Sequence, residues 1–411
     1  MTAEASAAFS LLNAQAVRER AHRMLALGLA DKLPNFRLDM ARLDAAVDLA
    51  VETTKRTYPT LDMPFHSRWR HFVCAEQDRW ALLDGAANWR DGAARARAAF
   101  DLAIVSVLLD AGAGPQWRYR DPATERSIGH SEGLALASLA MFARGDFAAN
   151  TRDPLRADAE GLLRLSDQTV RNGFQASDAN PLIGIEGRAG LLRGLGALVA
   201  ARPEIFALRD SPRPGGLFDH FAALAADGKI AAATILAELL RHLGPIWPSR
   251  LTLDGVPLGD CWRHPSLTTA DATTGLVPLH KLSQWLAYSL IEPLQWAGVS
   301  VTDIDGLTGL AEYRNGGLFV DTGVVAFRDA ADPGRDHDVA SALVVEWRAL
   351  TVALLDRLAD AMRGRLKMDK KSLPLAKVLQ GGTWAAGRRL AHRLRADGSP
   401  PVKVISDGTV F

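Results

Sequence analysis

Residues 307–317, with the sequence LTGLAEYRNGG, place a carboxylate, a phenol and a guanidinium next to one another. Glu312, Tyr313 and Arg314 follow an apolar run and precede an Asn-Gly-Gly sequence that is typical of helix ends. We therefore expect the three on the last turn of a helix or just past it. A fixed anion beside a fixed cation suits a substrate that develops positive charge at one atom and carries negative charge elsewhere. The alternative is that the two charges lie on the surface and flank a core tyrosine.

Two further charged residues lie where a helix dipole disfavours them. Asp110 ends an apolar run before a glycine-rich turn, so it needs a donor, a cation or a ligand hydroxyl, unless it bonds the amides of its own turn. Lys281 lies near a predicted helix start, where a bound phosphate would compensate its charge; the alternative is a solvated lysine. Gln284 lies on the same face of that helix as Lys281, and Trp285 lies on another face.

Weaker clusters complete the candidate set. Residues 66–71, HSRWRH, combine cations and aromatic rings around Arg68, which suits an anionic sugar phosphate or the packing of a tryptophan beneath arginine stems. Asp260 follows a predicted hairpin and is a candidate to point into a cleft. We add these two residues and His280 to the candidate substrate-binding residues.

The sequence lacks the motifs of several common classes of enzyme. It has no P-loop, no dinucleotide-binding glycine motif after a strand, no HExxH and no Gly-x-Ser-x-Gly elbow. The histidines show no metal-ligand spacing, although spacing says nothing about ligands scattered along the chain. We therefore predict neither a metal nor an organic cofactor. Glu346 and Arg348 lie inside an apolar helical segment, where each charge needs a partner.

The elements that position these residues are mostly helical. Apolar residues at helical spacing predict a mainly α fold, a compact helical body with a small β-hairpin. The hairpin is expected at 250–258 around an Asp-Gly turn, and a last strand at 402–405. We expect one α-rich catalytic unit over 1–411, with two interleaved helical lobes and the cleft between them as a variant. The predicted helices are 14–29, 43–53, 93–109, 131–142, 154–170, 189–201, 218–243, 280–294 and 338–358.

Composition limits the classes of partner. The 411 residues include 48 basic and 47 acidic residues, so no net field steers the chain to nucleic acid or to an anionic membrane. Two cysteines are too few for a disulfide framework, and the N-terminus does not read as a secretory signal. We expect a cytoplasmic protein that binds a small-molecule substrate; the sequence leaves the oligomeric state open.

Seven blocks of sequence spread over nearly the whole chain carry a resemblance to a known family. The blocks are PFHSRWRHF (64–72), SVLLDAGAG (106–114), HSEGLALAS (130–138), VPLHKLSQWLAYSLIEP (277–293), LTGLAEYRNGG (307–317), GGTWAAGR (381–388) and SDGTVF (406–411). Together they resemble a family of uncharacterised-domain proteins in an oxidation-independent pathway of uracil catabolism found in fungi and bacteria. Gln380 stands where we expect a glutamate and His130 where we expect an arginine, so no role is carried over to either.

A second resemblance concerns the C-terminal half. Lys281 and Gln284, followed by the Glu-Tyr-Arg trio, look like the Phe-Tyr-Lys-x-x-Gln and Asp-Tyr-Arg elements of the queuosine-nucleotide salvage glycosylases. Those proteins are similar in fold to helical DNA glycosylases and hydrolyse an N-glycosidic bond. The resemblance implies that fold for this chain as well.

Together the two resemblances imply one reaction. In the pathway, uracil is converted to its nucleotide, the ring is opened by a cyclohydrolase-like enzyme, and urea is released. Cleavage of the C1′–N bond of a ribosylurea phosphate would yield urea and ribose 5-phosphate through an oxocarbenium-like state. Glu312 is then expected to stabilise that cation and Asp110 to bind ribose hydroxyls or the urea amide. Arg314 and Lys281 are expected to hold the phosphate, with Tyr313 and Trp285 as walls of the pocket.

Two alternatives follow from the same residues. One is an amidohydrolase that acts on a ring-opened ureido intermediate before the sugar is removed, usually with a metal. The other is a non-catalytic nucleotide-binding partner of the ring-opening cyclohydrolase. For the glycosylase, Asp110, Lys281, Glu312 and Arg314 are expected to surround one enclosed cavity.

Overall fold

The computed structural model describes residues 3–247 and 251–405. It is 55% helical and its strands form only two-stranded sheets, which confirms the mainly α prediction. No described helix combines the length and the low charge that crossing a membrane requires. The helices are α1 (Ala3–Ser10), α2 (Ala14–Leu29), α3 (Leu43–Thr57), α4 (Arg79–Ala86), α5 (Gly92–Leu108), α6 (His130–Arg144), α7 (Ala159–Leu163), α8 (Asp167–Gly173), α9 (Ile185–Ala201), α10 (Pro203–Phe206), α11 (Leu217–Leu224), α12 (Ala232–Leu243), α13 (Lys281–Trp296), α14 (Tyr313–Asp321), α15 (Ala342–Leu366), α16 (Leu375–Val378) and α17 (Trp384–Leu394).

The strands are short. They pair antiparallel as β1 with β12, β2 with β3, β4 with β5, β7 with β8 and β9 with β10, and parallel as β6 with β11 and β13 with β14. Their bounds are β1 (Phe36–Leu38), β2 (Val73–Cys74), β3 (Gln77–Asp78), β4 (Tyr119–Arg120), β5 (Ser127–Ile128), β6 (Lys229–Ala231), β7 (Thr252–Leu253), β8 (Val256–Pro257), β9 (Cys261–Arg263), β10 (Leu276–Pro278), β11 (Ser300–Thr302), β12 (Val325–Phe327), β13 (Asp336–Asp338) and β14 (Lys403–Ile405).

The described residues group into two units, each made of separate stretches of chain. The first unit holds 3–66, 251–284 and 303–405; the second holds 67–247 and 285–302. In the first unit, α15 packs against α2, α3 and α14 and buries most of its length. In the second unit, α5 packs against α6 and α11, and every residue from Ala96 to Leu108 is buried, as its low charge predicts. The prediction of a single catalytic unit stays a prediction.

Most predicted elements are confirmed. Helix α2 has the predicted bounds, and β7, β8 and β14 lie where hairpin and strand signals placed them. The hairpin turn has positive φ at Asp254 (48°) and Gly255 (74°), the conformation that an Asp-Gly turn favours. Arg250, part of the predicted first strand, lies outside the described residues, as does the block 406–411.

Three helix predictions are wrong in extent, each because a turn or cap interrupts the pattern. The predicted helix 154–170 is two short helices, α7 and α8, capped by the side chains of Asp158 and Ser166. The predicted helix 218–243 is interrupted by β6, after positive φ at Asp227 and Gly228. The predicted helix 338–358 begins only after its cap Ser341 and continues to residue 366.

Candidate functional site

Glu312 lies at the start of a helix, which corrects the prediction that the Glu-Tyr-Arg trio ends one. Its carboxylate caps α14: Oε2 accepts the amide of Arg314 at 2.7 Å and Oε1 accepts that of Asn315 at 2.5 Å. A capping carboxylate also complements the positive end of the helix dipole. The trio therefore lies at the N-terminal end of α14 and not at the C-terminal end of a helix.

The two glycines that follow Asn315 lie inside α14, and close contacts with neighbouring groups explain why these positions are glycine. A Cβ on Gly316 would lie 2.6 Å from the indole of Trp347, and one on Gly317 would lie 3.2 Å from Pro401. In α17, a Cβ on Gly387 would lie 2.1 Å from the carbonyl oxygen of Arg314. Close packing of α14, rather than a turn, thus explains the Gly-Gly pair.

Burial makes Glu312 a perturbed carboxyl group. The residue is 7% exposed. Burial raises its pKa, although the amides of Arg314 and Asn315 and the charges of Lys281 and Arg314 act in the opposite direction. Each oxygen accepts one amide and keeps a second lone pair. The two amides therefore hold the carboxylate in a fixed orientation and occupy one lone pair of each oxygen.

The other two members of the trio are ordered differently. Arg314 is buried, and its Nη1 donates to the carbonyl of Gly398 at 2.7 Å. Its guanidinium carbon lies 4.9 Å from the ring centre of Tyr313, which is half-buried. One nitrogen and one face of the Arg314 guanidinium are thus used in contacts with Gly398 and Tyr313.

Asp260 anchors the segments that carry Lys281 and Glu312. Its two oxygens accept both terminal nitrogens of Arg348 at 2.8 Å, the backbone amide of Lys281 at 2.9 Å and the indole N–H of Trp262 at 2.6 Å. Burial alone would raise its pKa, but Arg348 and the other donors lower it to about 2. With four donors, its lone pairs are occupied, so a contact with substrate would have to replace one of them; that predicted contact stays a prediction.

Arg348 and Gln284 connect α13 to the stretch before Glu312. The Nε of Arg348 donates to the carbonyl of Ala311 at 3.2 Å. The amide of Gln284 pairs with Thr308 twice, as donor to its hydroxyl at 2.5 Å and as acceptor from its backbone N–H at 2.9 Å. These bonds fix the first turn of α13 relative to Glu312.

His280 is a buried residue just before α13. It has a positive φ of 46°, and its Nε2 lies 2.9 Å from the carbonyl of Leu11. Burial lowers its pKa, which favours the neutral ring with the proton on Nε2. Its Nδ1 has no hydrogen-bond partner among the described residues.

Arg68 and Asp110, both of the second unit, pair with each other. Arg68 Nη1 lies 2.7 Å from Asp110 Oδ1, and Ser131 donates its hydroxyl to the same oxygen at 2.6 Å. The guanidinium Nε also donates to Ser106 at 2.7 Å, whereas Nη2 is buried with no hydrogen-bond partner among the described residues. Burial lowers the pKa of Arg68. The misplaced charge of Asp110 is thus compensated by a buried cation.

Arg188 holds the turn that carries Asp110. It donates to the backbone carbonyls of Leu109, Ala111 and Gly112, the last two at 2.7 and 2.9 Å, and burial lowers its pKa to about 10. The negative end of the α5 dipole therefore receives a cation of its own.

The sequence of the whole chain can now be compared with known proteins. Residues 10–411 match a family described as "Protein of unknown function (DUF1688)". The chain belongs to the DUF1688 family. It is similar to "Protein urg3" of Schizosaccharomyces pombe (strain 972 / ATCC 24843), with 38% identity over 413 residues and 98% of each chain covered. It is also similar to "Uracil catabolism protein 4" of Lachancea kluyveri, with 35% identity over 411 residues and 92% of each chain covered. These matches confirm the family resemblance; the likeness to glycosylases stays a prediction.

The predicted site residues of this DUF1688 chain divide between the two units. Lys281, Glu312 and Arg314 belong to the first unit and Asp110 to the second, so their expected common cavity stays a prediction. The remaining first-unit candidates are Asp260, His280, Gln284 and Tyr313, and the remaining second-unit candidates are Arg68 and Trp285.

Two buried charged residues of the apolar helix α15, Glu346 and Arg348, both make hydrogen bonds, as burial of a charge requires. Arg348 binds Asp260, as described, and its role in the site was missed because the partner is 88 residues away in sequence. Glu346 accepts the amide of Phe36 at 2.8 Å and the side-chain amide of Asn35 at 2.9 Å. Buried charges in an apolar helix were the signal for both residues.

The sequence reasoning also missed a cluster of two histidines and a glutamate in the second unit. His220 of α11 and Glu238 and His242 of α12 place their ligand-type atoms within 4.8 Å of one another. Burial lowers the pKa of His242, although Glu238 acts in the opposite direction. Burial alone would raise the pKa of Glu238, but the hydrogen bond from His220 and the charge of Arg241 lower it overall. The spacing of Glu238 and His242, four residues apart on one helix, was the available signal.

Proposed function

We propose that this chain acts in uracil catabolism as an N-ribosyl hydrolase that cleaves a ribosylurea phosphate to urea and ribose 5-phosphate. The pathway is supported by the similarity over nearly the whole chain to a protein named for uracil catabolism. The reaction is supported by one observation above the others: the carboxylate of Glu312 is buried and oriented by two backbone amides in a cationic setting.

In the proposed reaction, the C1′–N bond breaks as positive charge develops on C1′ and the ring oxygen of the ribose. The anionic Glu312 stabilises that charge and accepts a proton from the attacking water, whose oxygen forms the new bond to C1′. The urea nitrogen leaves with the electron pair of the broken bond and takes up a proton from water, and Glu312 then releases to solvent the proton that it accepted. Ribosylurea phosphate and water thus give ribose 5-phosphate and urea, with no change of oxidation state.

The cations near Glu312 suit the phosphate of the substrate. Lys281 is half-buried on the first turn of α13, and its charge acts on Glu312. Helix starts favour anions, and a lysine there adds a point charge for a phosphate oxygen. Arg314, held by Gly398 at one nitrogen, has further N–H groups for the same anion. Asp260, Arg348 and Thr308 act as positioning residues because they touch the backbone or side chains around Glu312 and Lys281.

The test is release of urea and pentose phosphate from ribosylurea phosphate by the purified full chain. Ring-opened uridylate derivatives are assayed in parallel. Glu312→Gln is expected to abolish turnover and to keep most of the substrate affinity, since it removes charge with little change of volume. If wild type releases neither product from any of these compounds, the proposal is wrong; if it consumes only the ring-opened amides, the amidohydrolase alternative replaces it.

Asp158→Asn is the matched control for loss of a capping charge. Asp158 is also 7% exposed, caps α7 and accepts two backbone amides, from Ala149 at 3.0 Å and Gly161 at 2.9 Å. It belongs to the second unit and is not among the candidate site residues. We expect both variants to lose similar stability, of about 1 kcal/mol, but only the Glu312 variant to lose turnover. Equal loss of turnover in the two would contradict a chemical role for Glu312.

A further inference from the structure

The cluster formed by His220, Glu238 and His242 has the composition of a metal site. The Nε2 atom of His220 lies 2.7 Å from Glu238 Oε2, and the Nε2 atom of His242 lies 3.1 Å from the same oxygen. The two imidazole rings are 5.0 Å apart between centres and nearly perpendicular, at 87°. Two ring nitrogens therefore converge on a single carboxylate oxygen.

The surroundings orient this carboxylate. Arg241 Nη1 lies 3.2 Å from Glu238 Oε1, the oxygen that does not face the histidines. The side chains of the three residues are 6% to 16% exposed, so the cluster is mostly enclosed and keeps a small surface open to water. A guanidinium on one oxygen and two imidazoles on the other is the arrangement expected around a carboxylate that binds through one oxygen.

We propose that His220, Glu238 and His242 bind one divalent transition-metal ion, and that Zn²⁺ suits the site best. Two imidazole nitrogens and one carboxylate oxygen are ligands that Zn²⁺ accepts, and three protein ligands leave a fourth position for water. In tetrahedral geometry with metal–ligand distances of about 2.0–2.1 Å, ligand atoms lie roughly 3.3 Å apart. The observed separations of 2.7 and 3.1 Å between the ring nitrogens and Glu238 Oε2 must widen slightly to reach that value, and the ligand atoms of all three residues already lie within 4.8 Å of one another.

Metal binding requires a change of tautomer in the neutral form of each histidine. Without metal, each Nε2–H donates to Glu238, because an ionised carboxylate only accepts hydrogen bonds. To bind the ion, each Nε2 offers its lone pair to the metal and the ring carries its proton on Nδ1 instead. Glu238 contributes its negative charge through Oε2.

Arg202 opposes this tautomer at His242. Its Nη2 lies 3.2 Å from His242 Nδ1, and a guanidinium can only donate, so it favours the ring with the proton on Nε2. Arg202 also pairs with Glu204 at 2.5 Å, so it has another partner when it leaves the histidine. Metal binding should therefore displace Arg202 from His242.

The first experiment measures Zn²⁺ binding by the full chain in competition with a coloured chelator, together with the metal content of the protein as purified. One equivalent per chain is expected for wild type. His220→Ala, His242→Ala and Glu238→Gln are expected to lose this saturable binding. Binding of Co²⁺ should give the absorption of a tetrahedral ion in wild type only. Circular dichroism shows that each variant is folded.

A matched control separates this site from ordinary histidine–carboxylate pairs. His22 Nε2 lies 2.8 Å from Asp356 Oδ2, but no second histidine is placed there by the described residues. His22→Ala should keep one equivalent of Zn²⁺. If wild type binds no stoichiometric Zn²⁺, or if the His220 and His242 variants bind as wild type does, the proposal is wrong.

The second experiment uses the opposing arginine. Arg202→Gln removes the guanidinium donor and offers an amide oxygen that can accept a hydrogen bond from Nδ1–H, so it should tighten Zn²⁺ binding by about tenfold. Unchanged or weaker binding by Arg202→Gln would contradict the proposed Nε2 coordination of His242. Neither experiment depends on Glu312, so the metal site and the ribosidase stand or fall separately.

Discussion

The length of the Glu312 side chain distinguishes it from an ordinary helix cap. Asp, Asn, Ser and Thr are the preferred capping residues, because their short side chains reach the second and third amides of the helix. Glu312 bonds the corresponding amides, those of Arg314 and Asn315, from one methylene further away. Capping alone does not require this longer side chain, whereas a carboxylate that must also reach a substrate atom does.

Replacement of Glu312 by aspartate tests this distinction. Glu312→Asp should keep the cap and leave the free energy of unfolding within about 1 kcal/mol of wild type. It should lower kcat on ribosylurea phosphate by roughly 100-fold, because the carboxylate is withdrawn by about 1 Å from the reacting carbon. Urea release and thermal unfolding measure the two effects. Full activity in Glu312→Asp would show that the position of this carboxylate is not critical.

The pH dependence of the reaction should report the buried carboxyl group. Burial raises the pKa of Glu312 above its usual 4.5, so the protonated, inactive form persists to higher pH than for an ordinary glutamate. The acidic limb of kcat/KM should therefore lie above pH 4.5. Asp260, with a pKa of about 2, contributes nothing to this limb. A limb at or below 4.5 would contradict the role of Glu312 as the required anion.

The raised pKa of Glu312 affects the stability of the fold in the direction opposite to its effect on activity. Because the folded state favours protonated Glu312, the free energy of unfolding falls as pH rises between 4.5 and the raised pKa. Activity and stability at this residue thus change in opposite directions with pH. Such a conflict is characteristic of groups placed for chemistry.

Residue types indicated a carboxylate beside a cation at a helix end, but not which end of the helix carries the trio. The Asn-Gly-Gly sequence predicted a helix end because glycine commonly ends helices. The structure places both glycines inside α14, where Trp347 and Pro401 occupy the space of their side chains. Nothing local in the sequence announces such contacts, since the partners are distant along the chain.

At the scale of elements, helix periodicity was most reliable for α2, which buries one face, and for α5, which is buried along most of its length. Both were predicted nearly to the residue, because no turn or cap interrupts their apolar pattern. The segment between α11 and α12 was missed because its Asp227-Gly228 turn is short and the apolar pattern resumes at once. Turn chemistry outweighed periodicity there.

The close approach of α14 and α17 can be tested with a pair of glycine variants. A Cβ at Gly387 would overlap the carbonyl of Arg314 at 2.1 Å, and backbone cannot easily move, so Gly387→Ala should destabilise the chain by roughly 1–3 kcal/mol. Gly194, inside α9, has nothing within 4 Å of its Cβ position, so Gly194→Ala should stabilise by about 0.5–1 kcal/mol.

Denaturant unfolding of the two variants measures both effects. Since Gly387 packs on Arg314, which lies in the first turn of α14 next to Glu312, its variant should also lose turnover. If Gly387→Ala were as stable as Gly194→Ala, the packing of α17 against Arg314 would be wrong.

At the scale of the whole molecule, apolar residues at helical spacing predicted a mainly α protein but not how the chain is distributed between its units. Each unit is assembled from stretches far apart in sequence, such as 3–66 and 303–405. The pairing of Asp260 with Arg348 is one consequence. Charge in an apolar helix showed that Arg348 needs a partner, but several carboxylates were available and no local pattern selects Asp260.

Acid sensitivity of the folded molecule should depend measurably on that pair. The pKa of Asp260 is about 2 in the fold against 3.8 when unfolded, so its stabilisation is complete above pH 5 and is lost as pH falls towards 2. Between pH 5 and pH 3 the loss amounts to about 1 kcal/mol. Asp260→Asn should be less stable at pH 7 by roughly 3–5 kcal/mol, because Arg348 keeps its charge without its partner, yet should lack this part of the acid sensitivity.

Urea unfolding at several pH values compares wild type with Asp260→Asn, and Glu160→Gln serves as control. Glu160 pairs with Arg164 across 3.5 Å on the surface, with side chains 72% and 58% exposed, so its removal should change stability by less than about 1 kcal/mol. The free energy of unfolding should therefore depend on pH in the same way in wild type and Glu160→Gln, and less steeply at acidic pH in Asp260→Asn. Parallel pH profiles for wild type and Asp260→Asn would mean that Asp260 is not the strongly acidic anchor that its four donors imply.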